Sequence, residues 1–153
     1  METPQEKCGI FGIYGKDLDV SRLTFFGLFA LQHRGQESSG IATGDGKLIR
    51  SFKNVGLVTH AYEEENIKEL IGHCAIGHNR YSTSQGTGIE HAQPVVIGAR
   101  KAPPAQVCER GVRTLTGTLA LAHNGNLPST TALVEFLSRN GVPAEGKSDS
   151  ELM

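Results

Sequence analysis

Cys8 stands seven residues from the start of the chain and runs directly into Gly-Ile-Phe-Gly-Ile-Tyr. The alternation over residues 9–14, closed by Gly15, predicts a first strand with this cysteine at its head. A thiol in that position is either a small buried apolar group or a nucleophile. Cutting the chain after Lys7 would free the α-amino group of Cys8. Such an amine titrates near pH 8, against about 10.4 for a lysine side chain, so it can serve as base for its own thiol. On these residues alone both readings are open.

Composition narrows the classes. A chain of 153 residues with 38% hydrophobic content suits one globular domain. The net charge is −1, tryptophan is absent and no basic run occurs, so neither composition nor pattern points to nucleic acid. The longest apolar stretch, around residues 23–31, is too short and interrupted to cross a bilayer. Residues 1–7 have no hydrophobic core, which suits a polar leader rather than a secretory signal. Cysteines at 8, 74 and 108 cannot all pair and form no Cys-x-x-Cys, which indicates a reducing cytoplasm. The six histidines lack metal-ligand spacing, and no metal is expected.

Strands and helices are predicted in mixed order. Residues 20–32 read as a helix with Asp19 as N-cap, packing through Leu23, Phe26, Ala30 and Leu31. Residues 40–43 and 47–53 flank Gly44-Asp45-Gly46, a hairpin turn. Residues 62–71 read as a helix ended by Gly72, and 75–81 and 117–123 as buried strands. Residues 130–140 read as a helix capped by Ser129 and ended by Gly141, with Leu133, Phe136 and Leu137 inward. Residues 99–116 have no period and read as a loop, with Cys108 as a surface thiol.

Four polar segments lie where ordered elements run into turns, the usual place for ligand contacts. Leu31-Gln-His-Arg-Gly-Gln-Glu-Ser-Ser-Gly-Ile41 is a dense polar connection. Gly77-His-Asn-Arg-Tyr-Ser-Thr-Ser-Gln-Gly86 carries Arg80, whose guanidinium either grips a carboxylate or pairs with a structural acid. Leu121-Ala-His-Asn-Gly-Asn126 offers the Asn124 amide and the Gly125 N–H, as an oxyanion hole or as a plain hairpin turn. In Lys147-Ser-Asp-Ser-Glu151, Asp149 either takes an ammonium group or caps a helix.

Together and in this order, the Cys8 start and these segments resemble the class II, or N-terminal-nucleophile, glutamine amidotransferases over essentially the whole chain. Leu31-Gln-His-Arg-Gly-Gln-Glu-Ser-Ser-Gly and Gly77-His-Asn-Arg-Tyr-Ser-Thr look like the amidophosphoribosyltransferases within that family. Glucosamine-6-phosphate synthases instead carry aromatic residues around the first Arg-Gly and tryptophan in place of Tyr81. Asparagine synthetases match only the Cys-Gly-Ile start and a looser Asn-Gly.

The resemblance implies roles. Cys8 would be the nucleophile, exposed by removal of residues 1–7, and Asn124 and Gly125 would form the oxyanion hole. Arg80 would bind the α-carboxylate of L-glutamine, Tyr81, Ser82 and Thr83 would shape the pocket, and Asp149 would hold the α-ammonium. The fold implied is α+β, a four-layer αββα sandwich of the N-terminal nucleophile hydrolase type, incomplete at its C-terminal end. Residues 8–153 would be a partial glutaminase domain serving the first step of de novo purine synthesis. Its phosphoribosyltransferase domain would lie outside the chain, and with it the site for phosphoribosyl pyrophosphate. Mg²⁺, and in some relatives a 4Fe–4S cluster, would likewise belong to regions outside the chain. The full-length enzyme would be a homo-oligomer.

Two departures stand against the family pattern. The chain stops just past Asp149, so the expected product is a marginal, aggregation-prone fragment. The 99–116 loop is longer than the family's, though lengthening a surface loop costs only about 0.6 kcal/mol per doubling. Three alternatives remain: the glutaminase domain of a glucosamine-6-phosphate synthase type, a complete small glutaminase, or an inactive remnant that binds without catalysis.

Overall fold

The computed structural model describes residues 7–81, 88–98, 106–107, 110–125, 127–144 and 148–153. In chain order the elements are strand β1 (Gly9–Tyr14), helix α1 (Val20–Ala30), strands β2 (Ser38–Gly44) and β3 (Ile49–Val55), and short helices α2 (Val58–Ala61) and α3 (Glu64–Glu69). Strands β4 (Cys74–Arg80), β5 (Val95–Gly98), β6 (Gln106–Val107), β7 (Arg113–Leu115) and β8 (Gly117–Leu121) follow, then helices α4 (Thr131–Arg139) and α5 (Asp149–Leu152). Six strands form one antiparallel sheet in the order β1-β4-β2-β3-β7-β6, and β5 pairs with β8 in a second. This is the α+β, two-sheet class that the family resemblance implies.

Alternation along β4 sorts its neighbours onto two faces. Gly77 faces α1, where a Cβ would lie 2.7 Å from Thr24 Cγ2 and 2.9 Å from Leu28, so only glycine admits the helix this closely. Asn79, on the same face, donates its amide N–H to the Leu28 carbonyl at 2.7 Å. The core lies on this side, between the sheet and α1–α3. It comprises Leu28, Ile41, Phe52, Val58, Ala61, Tyr62, Ile67, Leu70 and Val112, with Phe11 and Phe25 against it. Tyr62 meets Phe25 edge-on at 6.0 Å and Phe52 at 5.4 Å between ring centroids. His78 and Arg80 alternate to the opposite face, the side of the smaller sheet.

Several boundaries differ from the sequence reading. Asp19 caps α1 as expected, accepting from the Arg22 N–H, but α1 buries Val20, Thr24 and Leu28 and leaves Leu23, Phe26 and Phe29 exposed. The helix is apolar nearly all round, so its period could not choose the face. The tight approach at Gly77 chose it. Tyr62 is extended, because Glu63 and Asn66 form a capping box that starts α3 two residues later. Helix α4 takes Thr130 rather than Ser129 as its N-cap and leaves Phe136 exposed. Residues 99–116 are not all loop: β6 and β7 pair with each other and β7 extends the sheet beyond β3. Strand β5 has four residues, too few to show a period in the sequence. Cys108 lies outside the described residues.

Candidate active site

Antiparallel pairing of β1 with β4 sets Gly9 opposite Asn79, which carries Cys8 to the end of β4. Its sulfur accepts from the Tyr81 N–H at 3.4 Å and lies 3.9 Å from the Tyr81 carbonyl oxygen. Cys8 is half-buried and has φ 58°, a left-handed conformation that turns the chain out of the strand at the Lys7–Cys8 junction. Arg34 Nε donates to the Cys8 carbonyl at 2.8 Å and fixes that turn. The Lys7 ammonium lies 5.6 Å from the centre of the Tyr81 ring, itself 42% exposed.

Arg80 ends β4 and pairs with Glu37, Nη1 to Oε1 at 2.9 Å, both side chains being little exposed. The Glu37 N–H also donates to the Arg80 carbonyl at 3.1 Å, because β2 pairs with β4 with Ser38 opposite Arg80. The first polar segment therefore fixes both candidate groups: Arg34 holds the Cys8 backbone and Glu37 holds the Arg80 guanidinium. Sequence reasoning marked that segment without assigning either role. Its only signal was the density of polar residues between a helix and a strand.

The third and fourth polar segments come together as well. Asn124 and Gly125 follow β8 and are exposed. Asp149 opens α5, accepting from the Leu127 N–H at 3.2 Å and from the Ser150 N–H at 2.8 Å. His123 Nδ1 lies 3.9 Å from Asp149 Oδ2. His123 and Leu127, on either side of Asn124 and Gly125, thus both approach one carboxylate. Ser82 and Thr83 lie outside the described residues.

His78 is 1% exposed on β4, two residues before Arg80 on the same face. Burial pushes its imidazole down to about 4, and the charges of Arg80, His123 and Lys53 act in the same direction. It is therefore neutral at physiological pH. Among the described residues no group of three or more His, Cys, Asp or Glu side chains is placed to hold a metal ion. None of the described helices is long and apolar enough to cross a membrane.

Cys8, Tyr81, Arg80 and Glu37 thus form one cluster at the end of β4, and His123, Leu127 and Asp149 a second one around the Asn-Gly turn. No family model matches the chain. It is 44% identical over 140 residues to the amidophosphoribosyltransferase of Synechocystis sp., covering 92% of this chain and 25% of that one. With the amidophosphoribosyltransferase of Methanocaldococcus jannaschii it shares 43% over 147 residues, 95% of this chain and 28% of the relative. Among solved structures, the allosteric regulatory enzyme of purine biosynthesis superposes with a TM-score of 0.73 at 36% identity, over 94% of this chain and 28% of that one. The glutamine phosphoribosylpyrophosphate amidotransferase of B. subtilis, complexed with ADP and GMP, gives 0.71 at 36% identity. The chain thus spans about a quarter of the length of these relatives.

Proposed function

We propose that this chain, a homologue of the amidophosphoribosyltransferases along essentially its whole length, is the glutaminase unit of such an enzyme. One observation carries the reading: strand register brings the Cys8 sulfur to the Tyr81 backbone, beside an Arg80 already oriented by Glu37.

The α-carboxylate of glutamine sits on Arg80 and its α-ammonium on Asp149, with Tyr81, Ser82 and Thr83 forming the wall. Fixing the charged end delivers the side-chain amide to the thiol, and such positioning is worth several kcal/mol of barrier. Removal of residues 1–7 frees the Cys8 amine, which takes the thiol proton as sulfur bonds to the amide carbon. The resulting oxyanion accepts from the Asn124 side-chain amide and the Gly125 N–H, each such donor being worth about 3–4 kcal/mol. Collapse breaks the C–N bond, and the amine returns the proton to the departing ammonia. Water then adds to the γ-glutamyl thioester and releases glutamate, restoring the thiol. In the whole enzyme the ammonia displaces pyrophosphate from phosphoribosyl pyrophosphate, giving 5-phosphoribosylamine for purine synthesis. That acceptor chemistry belongs to the part of the relatives' length that this chain does not span.

The test is glutamine-dependent release of glutamate and ammonia, together with the intact mass of the protein. Activity that requires loss of residues 1–7 and disappears in Cys8→Ala supports the reading. A mature protein that hydrolyses glutamine equally well with Cys8→Ala, or one that retains its leader and is inert, overturns it.

A further inference from the structure

We infer that Gln93 is a positioning residue for the glutamine site, joining the strand end that carries Asn124 and Gly125 to the turn that carries Asp149. The inference rests on the glutaminase reading. Gln93 Oε1 accepts the His123 N–H at 2.6 Å, and Gln93 Nε2 donates to Ser150 Oγ at 3.0 Å. A backbone N–H can only donate, so the amide's orientation is fixed by its partner. Ser150 is 2% exposed, and its hydroxyl turns on to Asp149 Oδ1 at 3.4 Å. From the other side the Leu127 N–H reaches Asp149 Oδ2 at 3.2 Å. One carboxamide therefore joins His123 to Ser150, whose neighbour Asp149 is bonded in turn to Leu127.

The backbone around Gln93 is pinned to the large sheet. Lys53 Nζ donates to the Ala92 carbonyl at 2.6 Å. At Gly40 a Cβ would collide with the Gln93 carbonyl oxygen, so β2 meets this segment at a residue without a side chain. Gly40 pairs with His78 and Ser38 with Arg80 on β4. Gln93 thus links the sheet that carries Arg80 to the elements that carry Asp149, Asn124 and Gly125. Only a side chain with both a donor and an acceptor, at this length, makes both bonds.

The test compares Gln93→Leu with Gln93→Glu in the full chain. Leucine keeps the bulk and loses both bonds, and the turn and Asp149 then drift apart. Glutamine hydrolysis is expected to lose about 10- to 100-fold in kcat, with a raised KM. Glutamate keeps the acceptor for His123 but draws the Ser150 hydroxyl from Asp149 and adds a like charge beside it. It should keep kcat within about threefold while KM rises about tenfold or more. A purely structural role would move both constants together in both variants. Hydrogen exchange at the His123 and Leu127 amides, faster in Gln93→Leu, reads the tie without reference to activity. Gln93→Leu with wild-type kcat and KM, or with unchanged exchange at those amides, overturns the inference. An unmodified protein lacking Cys8-dependent hydrolysis sinks the glutaminase reading instead, and the exchange rates alone then decide whether Gln93 joins the two elements.

Discussion

Glu37 and Arg80 are bound to each other twice, side chain to side chain at 2.9 Å and Glu37 N–H to Arg80 carbonyl at 3.1 Å. The backbone bond is a consequence of strand register, and it places the carboxylate where the guanidinium ends. The pair is thereby pre-formed before any ligand arrives, with little rotamer freedom left for binding to remove. A bidentate grip on a carboxylate depends on that orientation.

Removing one partner of a buried pair strands the other, which typically costs about 3–5 kcal/mol. Glu37→Ala should lower the stability of the folded chain by an amount of that order, read from urea denaturation. It should also raise the KM for glutamine by about tenfold, equivalent to roughly 1.4 kcal/mol of binding. A variant with wild-type KM would show that Glu37 does not orient the guanidinium for substrate.

His78 ties stability to pH. Its folded value is about 4 against an ordinary 6.5, so the unfolded chain binds this proton more readily. Above 6.5 both states are neutral and the difference vanishes. As pH falls from 6.5 towards 4 the unfolded state gains protons first, and stability is lost across that window, by about 3 kcal/mol in full. His78→Gln cannot titrate and should flatten the fall between pH 7 and 4.5. An unchanged slope in that variant would assign the loss to other groups.

Legibility followed the strength of local signals. The first strand, β4 and the Asp45 turn declared themselves through alternation and turn chemistry, and Asp45 does bond the Lys47 and Leu48 N–H groups. The buried face of α1 did not, because Phe25, Phe26, Leu28 and Phe29 leave no polar side to read. Glu37 lay in a segment singled out for its polarity, yet its partner is set by the pairing of β2 with β4, a long-range fact. Gln93 gave no signal at all: its role exists only once β5, β8 and α5 are assembled around it. The family motifs brought Cys8, Arg80 and Asp149 to notice, and the fold supplied the side chains that orient them.

The approach of α1 to the sheet has its own test. At Gly77 an added Cβ would meet both Thr24 and Leu28 closer than van der Waals contact. Gly77→Ala should therefore cost about 1–3 kcal/mol through overpacking, measured by denaturation at neutral pH. It should also disturb the site, since Arg80 ends the same strand and Tyr81 follows it. Thr24→Ala, made together with Gly77→Ala, removes one of the colliding groups and should recover part of the loss. Additive losses in the double variant would locate the damage elsewhere.

Asp149 separates binding from chemistry. Its Oδ2 accepts the Leu127 N–H and its Oδ1 the neighbouring Ser150 N–H; with the amide oxygen on Leu127, Asp149→Asn keeps the first bond and loses the second, so the fold should survive at a cost of about 1 kcal/mol. What disappears is the negative charge proposed to hold the α-ammonium of glutamine. KM should rise about 10- to 100-fold, a charge-assisted bond being worth roughly 1.5–3 kcal/mol. The thiol and the Asn124–Gly125 turn are untouched, so kcat at saturating glutamine should fall far less. Alkylation of Cys8 by iodoacetamide, which needs no amino-acid site, should proceed at the wild-type rate. An Asp149→Asn protein with unchanged KM would remove Asp149 from the site and leave it as the first residue of α5.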